Sequence, residues 1–261
     1  MTHWLRAYTQ GILEPAFLPT IPPPPDRSLR PAFLAHTGGP FHTAMFPPLG
    51  CPLPPLVRWA YAVLDGSFDE LACMVARGSF RSARRAYRVT GTISEGAAAE
   101  TEHLVERAKA GYLHGRFPEF VERVLAADSG PRREMTEIAD LRIVDTDGNE
   151  TFFEIKSPKP NKGQCLEATQ RLLRMHAIRG EGPPRVRAFY AMAYNPYGDD
   201  PASYAHTFAN NYLDMENQVL LGRQFWEYLG DSETYDALLR VYRQVGKERG
   251  PDMLDRLALG Y

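Results

Sequence analysis

Asp140, Glu154 and Lys156 are the residues whose types and spacing point to a defined chemistry. Glu154-Ile155-Lys156 is the one place in the chain where an acidic residue stands two positions before a lysine, and Asp140 lies fourteen residues upstream. On a strand, alternation puts Glu154 and Lys156 on one face and Ile155 on the other. Between them Asp145-Thr146-Asp147-Gly148-Asn149 is a hairpin signal, because Asp-Gly supplies the positive φ that a tight turn needs. The hairpin returns the chain beside itself and brings Asp140 near Glu154. Two carboxylates and a backbone carbonyl, that of Ile155, make a hard oxygen site suited to Mg²⁺. A lysine on the same face can hold an attacking water or neutralise charge growing on a phosphoryl group. The chemistry implied is phosphodiester hydrolysis. An exposed strand edge is the plain alternative, and the next segment weighs against it.

Ser157-Pro158-Lys159-Pro160-Asn161-Lys162-Gly163-Gln164 is polar, stiffened by two prolines, basic, and runs into a helix start. Backbone N–H groups at a helix N-terminus favour anions, so Lys159, Asn161, Lys162 and Gln164 are candidate DNA-backbone contacts. A second basic run, Arg77, Arg81, Arg84, Arg85 and Arg88, reads by itself as a solvated face.

Positioning these residues requires an α/β core. Ile138, Leu141, Ile143 and Val144 mark the strand before the hairpin, and Thr151–Lys156 the return strand. A helix is expected over Gly163–Ile178 with Cys165, Ala168, Leu172 and Met175 inward. Val186–Tyr194 is nearly all apolar, as a strand covered on both faces would be. A short strand at Gln218–Leu221 precedes helices over Arg223–Leu229 and Glu233–Val245, with another after Pro251. Upstream, one helical face is marked by Leu56, Trp59, Ala60 and Val63, and another by Phe68, Leu71, Ala72 and Val75. Thr92-Ile93-Ser94-Glu95 has capping-box spacing and opens a helix to about Lys109. Phe117, Phe120, Val121, Val124 and Leu125 mark a further one. This order predicts a mixed sheet packed between helices.

Domain organisation follows composition. Thirteen of the 22 prolines fall in the first sixty residues, mixed with Phe17, Phe33, Phe41 and Phe46, which reads as an ordered proline-rich arm over 1–55. The nuclease domain is expected over 56–261, with a helical part at 56–130, a catalytic core at 134–229 and C-terminal helices at 230–261. Thirty basic residues against 32 acidic ones leave a nucleic-acid partner to depend on local surface, not overall charge. No apolar run approaches membrane-spanning length, and three scattered cysteines give neither a disulfide framework nor a zinc site. A cytoplasmic protein with no membrane partner is the expectation.

The pattern Asp140…Glu154-Ile155-Lys156 resembles the PD-(D/E)xK nuclease core. The longer string Phe153–Gly163 is similar to that of TdeIII-like type II restriction endonucleases. Gly222-Arg223-Gln224-Phe225-Trp226-Glu227-Tyr228-Leu229 resembles a segment after the core in restriction endonucleases that cut GGNCC-type sites, although Phe225 and Trp226 also read as plain helix core. The resemblance implies a restriction-endonuclease-like α/β fold and Mg²⁺-dependent cleavage of double-stranded DNA. Mn²⁺ is expected to substitute and Ca²⁺ to support binding only. A homodimer and a cognate DNA methyltransferase protecting the host genome are implied as well. Asp140, Glu154 and the Ile155 carbonyl would hold the metal, and Lys156 would position the water. Ala139 stands where the pattern has proline, which leaves Glu134 and Glu137 as competitors of Asp140. Glu100, on the preceding helix, is a candidate further ligand. Two other readings stay open: a repair or RNA nuclease on the same core, and a non-catalytic DNA-binding protein with a degenerate one.

Overall fold

A computed structural model describes residues 39–45, 66–111 and 115–259. In chain order it begins with helices α1 (Pro40–Met45) and α2 (Phe68–Ser79), strand β1 (Ser82–Ser94), and helices α3 (Glu95–Lys109) and α4 (Phe117–Ala126). Strands β2 (Arg132–Val144) and β3 (Glu150–Lys156), helix α5 (Lys162–Arg179) and strand β4 (Val186–Met192) follow. A 3-10 turn (Pro201–Ser203), helix α6 (Thr207–Tyr212), strand β5 (Val219–Leu221) and helices α7 (Arg223–Leu229) and α8 (Thr234–Leu259) complete it. The chain divides into two compact units, Asp69–Asp231 and a second made of Met1–Phe68 with Ser232–Tyr261.

The larger unit is built on a five-stranded sheet in the order β1-β2-β3-β4-β5. Its first three strands are antiparallel and its last three parallel, the mixed sheet that the sequence predicts. The β2–β3 turn forms as expected. Asp145 Oδ1 accepts from the N–H groups of Asp147 and Asn149 at 2.9 and 2.8 Å, and Gly148 takes φ 87°, where a side chain would be strained. Because β3 must run parallel to β4, the chain crosses over through α5. That helix starts in a reciprocal cap: Asn161 accepts from the Gln164 N–H at 2.9 Å, and the Gln164 side chain accepts from the Asn161 N–H at 2.9 Å.

Phe152 and Phe153, neighbours on β3, open on opposite faces and define two cores. Phe152 packs with Val89, Ile93, Leu104, Phe120, Cys165 and Leu172, under α3, α4 and α5. Phe153 meets Phe225, Tyr228 and Phe189 at ring separations of 5.8, 5.8 and 6.1 Å. Trp226 is fully buried, with its indole N–H donating to the Ala193 carbonyl at 2.7 Å. Phe225 and Trp226 therefore belong to the core, where each contributes about 2–3 kcal/mol of burial.

Three elements differ from the sequence reading. The part read as helical, 56–130, contains the edge strand β1, whose 13 residues pair with β2 from Ser82↔Val144 to Ser94↔Arg132. Its period-two signal, Tyr87, Val89, Gly91 and Ile93, is hidden among arginines. The cap of α3 is Ser94, not Thr92: its hydroxyl accepts from the Ala97 N–H at 3.2 Å, because pairing with Glu134 keeps Thr92 in the strand. The C-terminal helices are one, α8 running unbroken through Pro251. The expected helix at Leu56–Val63 and most of the arm over 1–55 lie outside the described residues.

In the smaller unit Phe41 of α1 sits among Phe68, Tyr235 and Tyr242, with ring centroids at 5.6, 5.6 and 5.0 Å. Gly246 allows the close approach of α1 to α8, since a Cβ there would fall 2.3 Å from the Met45 carbonyl oxygen.

His176 on α5 is buried with its ring edge-on to Phe117, and burial pushes its pKa down from 6.5 to about 4. The unfolded chain therefore binds the extra proton between those values, so stability is lost as pH falls through that window. The wild type should be about 2 kcal/mol less stable at pH 5 than at pH 7.5 from this group alone. Urea unfolding at the two pH values checks this, and His176→Leu should remove that share of the acid sensitivity.

Candidate active site

The site forms where β2 and β3 part. Their pairing ends at Leu141↔Phe153, so the next register position sets Asp140 opposite Glu154. Beyond this point the Ile155 N–H is held by a side chain: it donates to Asp140 Oδ2 at 2.8 Å. Lys156 Nζ donates to the same oxygen at 3.1 Å and lies 2.9 Å from Glu154 Oε1. The three residues singled out in the sequence thus form one hydrogen-bonded group.

The parting is prepared on the edge strand. Arg85↔Leu141 and Tyr87↔Ala139 place Ala86 opposite Asp140, and Ala86 has φ 46°. Strict alternation would put Arg85 and Tyr87 on one side. Instead Arg85 pairs with Asp69 and Glu70 of α2, while Tyr87 stacks on Phe152 in the other core. A left-handed alanine costs of order 1 kcal/mol, and here it marks the point where the strand changes face beside Asp140. Ala139 is fully buried at an interior ladder position.

Glu154 is only 1% exposed. Its pKa is raised, first by burial and then by Asp140, against the opposing pull of Lys156 and Arg171. For Lys156 burial favours the neutral amine, but Glu154 and Asp140 outweigh it and the pKa rises. Lys156 therefore stands as an ammonium, a donor that can orient a water or a phosphate oxygen. Glu154 Oε1 takes both cationic partners, Lys156 and Arg171, whereas Oε2 is buried and has no hydrogen-bond partner. Buried polar atoms are nearly always satisfied, so this oxygen fits the demand of a cation. No group of three Asp, Glu, His or Cys side chains converges among the described residues. A metal here would take two carboxylates and complete its shell with a backbone carbonyl and water, as Mg²⁺ commonly does.

The other candidates are placed as follows. Glu100 pairs with Arg123 of α4 and lies 3.4 Å from His103 Nδ1. Asn161 and Gln164 spend side-chain atoms on the α5 cap. Lys162 Nζ donates to the Lys109 carbonyl at 2.6 Å, closing the C-terminus of α3, and lies 4.8 Å from the Tyr212 ring centroid. Lys159 is half-buried with its ammonium 5.4 Å from the Tyr197 ring centroid. Its loop is clamped from behind, with Tyr204 donating to the Pro158 carbonyl at 2.7 Å and His206 Nε2 lying 2.7 Å from the Pro160 carbonyl. Glu137 is held by Arg174 at 3.2 Å and Arg171 at 3.6 Å. Glu134 is exposed on the ribbon opposite Thr92. The sequence reading missed Arg171. Its one signal is an arginine beside the inward stripe of α5, next to Leu172 and three residues from Ala168.

Comparison with known proteins identifies the family. The model of the HinfI type II restriction endonuclease family matches residues 65–246. The type II restriction enzyme HgiCII of Herpetosiphon aurantiacus is 36% identical over 222 residues, covering 84% of this chain and 81% of its own. HgiBI and HgiEI of the same organism match to the same extent. No solved structure matches the chain at a significant level. With the family model spanning most of the chain and the relatives covering 84% of it, the chain belongs to the HinfI family of type II restriction endonucleases, site-specific deoxyribonucleases.

Proposed function

We propose that this endonuclease cleaves both strands of DNA in a Mg²⁺-dependent reaction at a short palindrome of GGNCC type, with Asp140, Glu154 and Lys156 as its catalytic residues. The observation that carries the metal assignment is the buried, unpartnered Oε2 of Glu154 inside the Asp140–Lys156 group. Asp140, Glu154 and the Ile155 carbonyl would hold the ion. When bound, Mg²⁺ supplies charge neutralisation at the scissile phosphate. Lys156, fixed by two carboxylates, orients the attacking water in line with the phosphorus. Asp140 keeps its carboxylate at the gap between β2 and β3 by accepting the Ile155 N–H. Mn²⁺ should replace Mg²⁺, and Ca²⁺ should allow binding without cutting. Glu100 can join the ion only by leaving Arg123, so it stands outside the proposed set.

Lys159 is proposed as the phosphate contact of the post-motif loop, which Asn161, Lys162 and Gln164 hold in place. The GGNCC-type site is supported by the likeness of Gly222–Leu229 to enzymes that cut such sites. A palindrome is naturally read by a two-fold homodimer. A cytoplasmic location and a companion methyltransferase complete the proposed setting.

Digestion of phage DNA with Mg²⁺, followed by sequencing of the fragment ends, tests the reading: discrete fragments with one common end sequence support it, and a smear or RNA cleavage overturns it. Glu154→Gln and Lys156→Ala should each reduce cutting roughly a thousandfold or more, and the losses should not add. Both should retain specific binding in Ca²⁺, measured by gel shift. Lys159→Ala should lower the slope of log affinity against log salt by about 1 without relaxing sequence choice. Lys162→Ala should leave that slope unchanged and cost about 1 kcal/mol of stability, the value of a charged hydrogen bond to a helix end.

A further inference from the structure

We infer that Arg171 is a positioning residue for the cleavage reaction, holding Glu154 through Oε1 so that Oε2 is the oxygen presented to the cation. The inference rests on the proposed metal role of Glu154. Arg171 projects from α5, and its guanidinium serves two carboxylates from different strands: Nη1 pairs with Glu154 Oε1 on β3, and Nε lies 3.6 Å from Glu137 Oε2 on β2. Arg174, one turn further on, takes the other Glu137 oxygen at 3.2 Å. The two carboxylates are 1% and 8% exposed, so neither can draw on bulk water in place of these partners.

A carboxylate turns easily about its terminal torsion, and with no partner its two oxygens are interchangeable. Here they are not. Lys156, 2.9 Å away, and Arg171 both bind Oε1, while Oε2 has nothing. A planar guanidinium fixes direction as well as charge, which a single ammonium does not. Glu137 in turn fixes Arg171, so the orientation of Glu154 is set by a chain of pairs anchored in α5 and β2.

A competing effect has the opposite sign. A cation beside a divalent ion repels it, so an arginine acting as mere counter-ion would weaken metal binding, and its removal would tighten it. Glu137 already offsets the charge of Arg171, which favours the orienting role. The two cases separate in calorimetric titration of the DNA-free protein with Mg²⁺ and with Mn²⁺. Arg171→Ala should weaken metal binding about 10–100-fold, the usual effect of losing the group that orients a ligand. It should also lower the cleavage rate at saturating DNA more than it changes KM. Added guanidinium ion should recover part of both. Arg171→Lys should be intermediate, since one ammonium cannot serve both carboxylates.

Arg171→Ala with equal or tighter metal binding and cleavage within twofold of wild type would overturn the inference. If circular dichroism shows Arg171→Ala unfolded, Arg171→Lys decides. Wild-type affinity and cleavage in that variant would mean that charge alone suffices, and the inference fails. Glu154→Gln, run in parallel, separates the two levels. If it cuts normally, the metal reading is wrong; if it is dead while Arg171→Ala is unaffected, only the positioning role is lost.

Discussion

The constraint on which the rest of the structure depends is the burial of the Glu154 carboxylate. A carboxylate taken out of water costs several kcal/mol unless charge and hydrogen bonds answer it. The answer draws in one residue after another. Lys156, two positions on, supplies one cation from the same strand, and Arg171 brings a second from α5. Arg171, itself partly buried, is balanced by Glu137 on β2, and Glu137 by Arg174 on α5. The series runs from sheet to helix to sheet and back. It holds α5 in a fixed angular position over β2 and β3, in addition to the apolar packing of Cys165, Ala168 and Leu172. The proposed site for chemistry and a brace for the fold are here the same set of bonds.

Asp140 answers a different demand. Where β2 leaves β3, backbone groups on β3 lose their partners, and a buried unpaired N–H is expensive. Asp140 Oδ2 takes the Ile155 N–H, so the carboxylate has a structural task of its own beside the catalytic one proposed for it. The edge strand makes room for it by turning at Ala86, the single non-glycine residue with positive φ among those described. Strain and function coincide at this point because a regular ladder would send Asp140 into a hydrogen-bonded strand and away from the neighbouring face.

What the sequence made legible is what short-range rules control. Asp-Gly fixed the hairpin, and period two across the return strand then fixed the Asp140–Glu154–Lys156 grouping with no knowledge of the fold. The α5 stripe and the strand that starts at Val186 were equally plain, although β4 ends at Met192 and only its last three residues are all buried. The edge strand β1 was not, since its arginines match a solvated surface and its alternation breaks at Ala86. The roles of Lys162, Asn161 and Gln164 were hidden for another reason. A polar side chain at a helix start can serve an anion or its own backbone, and the backbone bonds that these three make depend on the folded helix ends. Arg171 could not be found at all by spacing, because its partners, Glu137 and Glu154, come from separate strands that meet only in the folded sheet.

The charge balance of the site bears on how metal and DNA act together. Asp140, Glu154 and Glu137 are matched by Lys156, Arg171 and Arg174, so the interlocked group is formally neutral. A neutral group offers a phosphate little attraction. On the proposed reading, a divalent ion would add two positive charges at the point where the scissile phosphate must sit, in surroundings drier than bulk water where charge acts more strongly. Metal and phosphate then favour each other's binding, and by linkage each raises the other's affinity by the same factor. On that reading an enzyme that destroys DNA benefits from the arrangement: the paired charges need no ion to balance them, and attraction to the phosphate would develop only with the proposed metal in place.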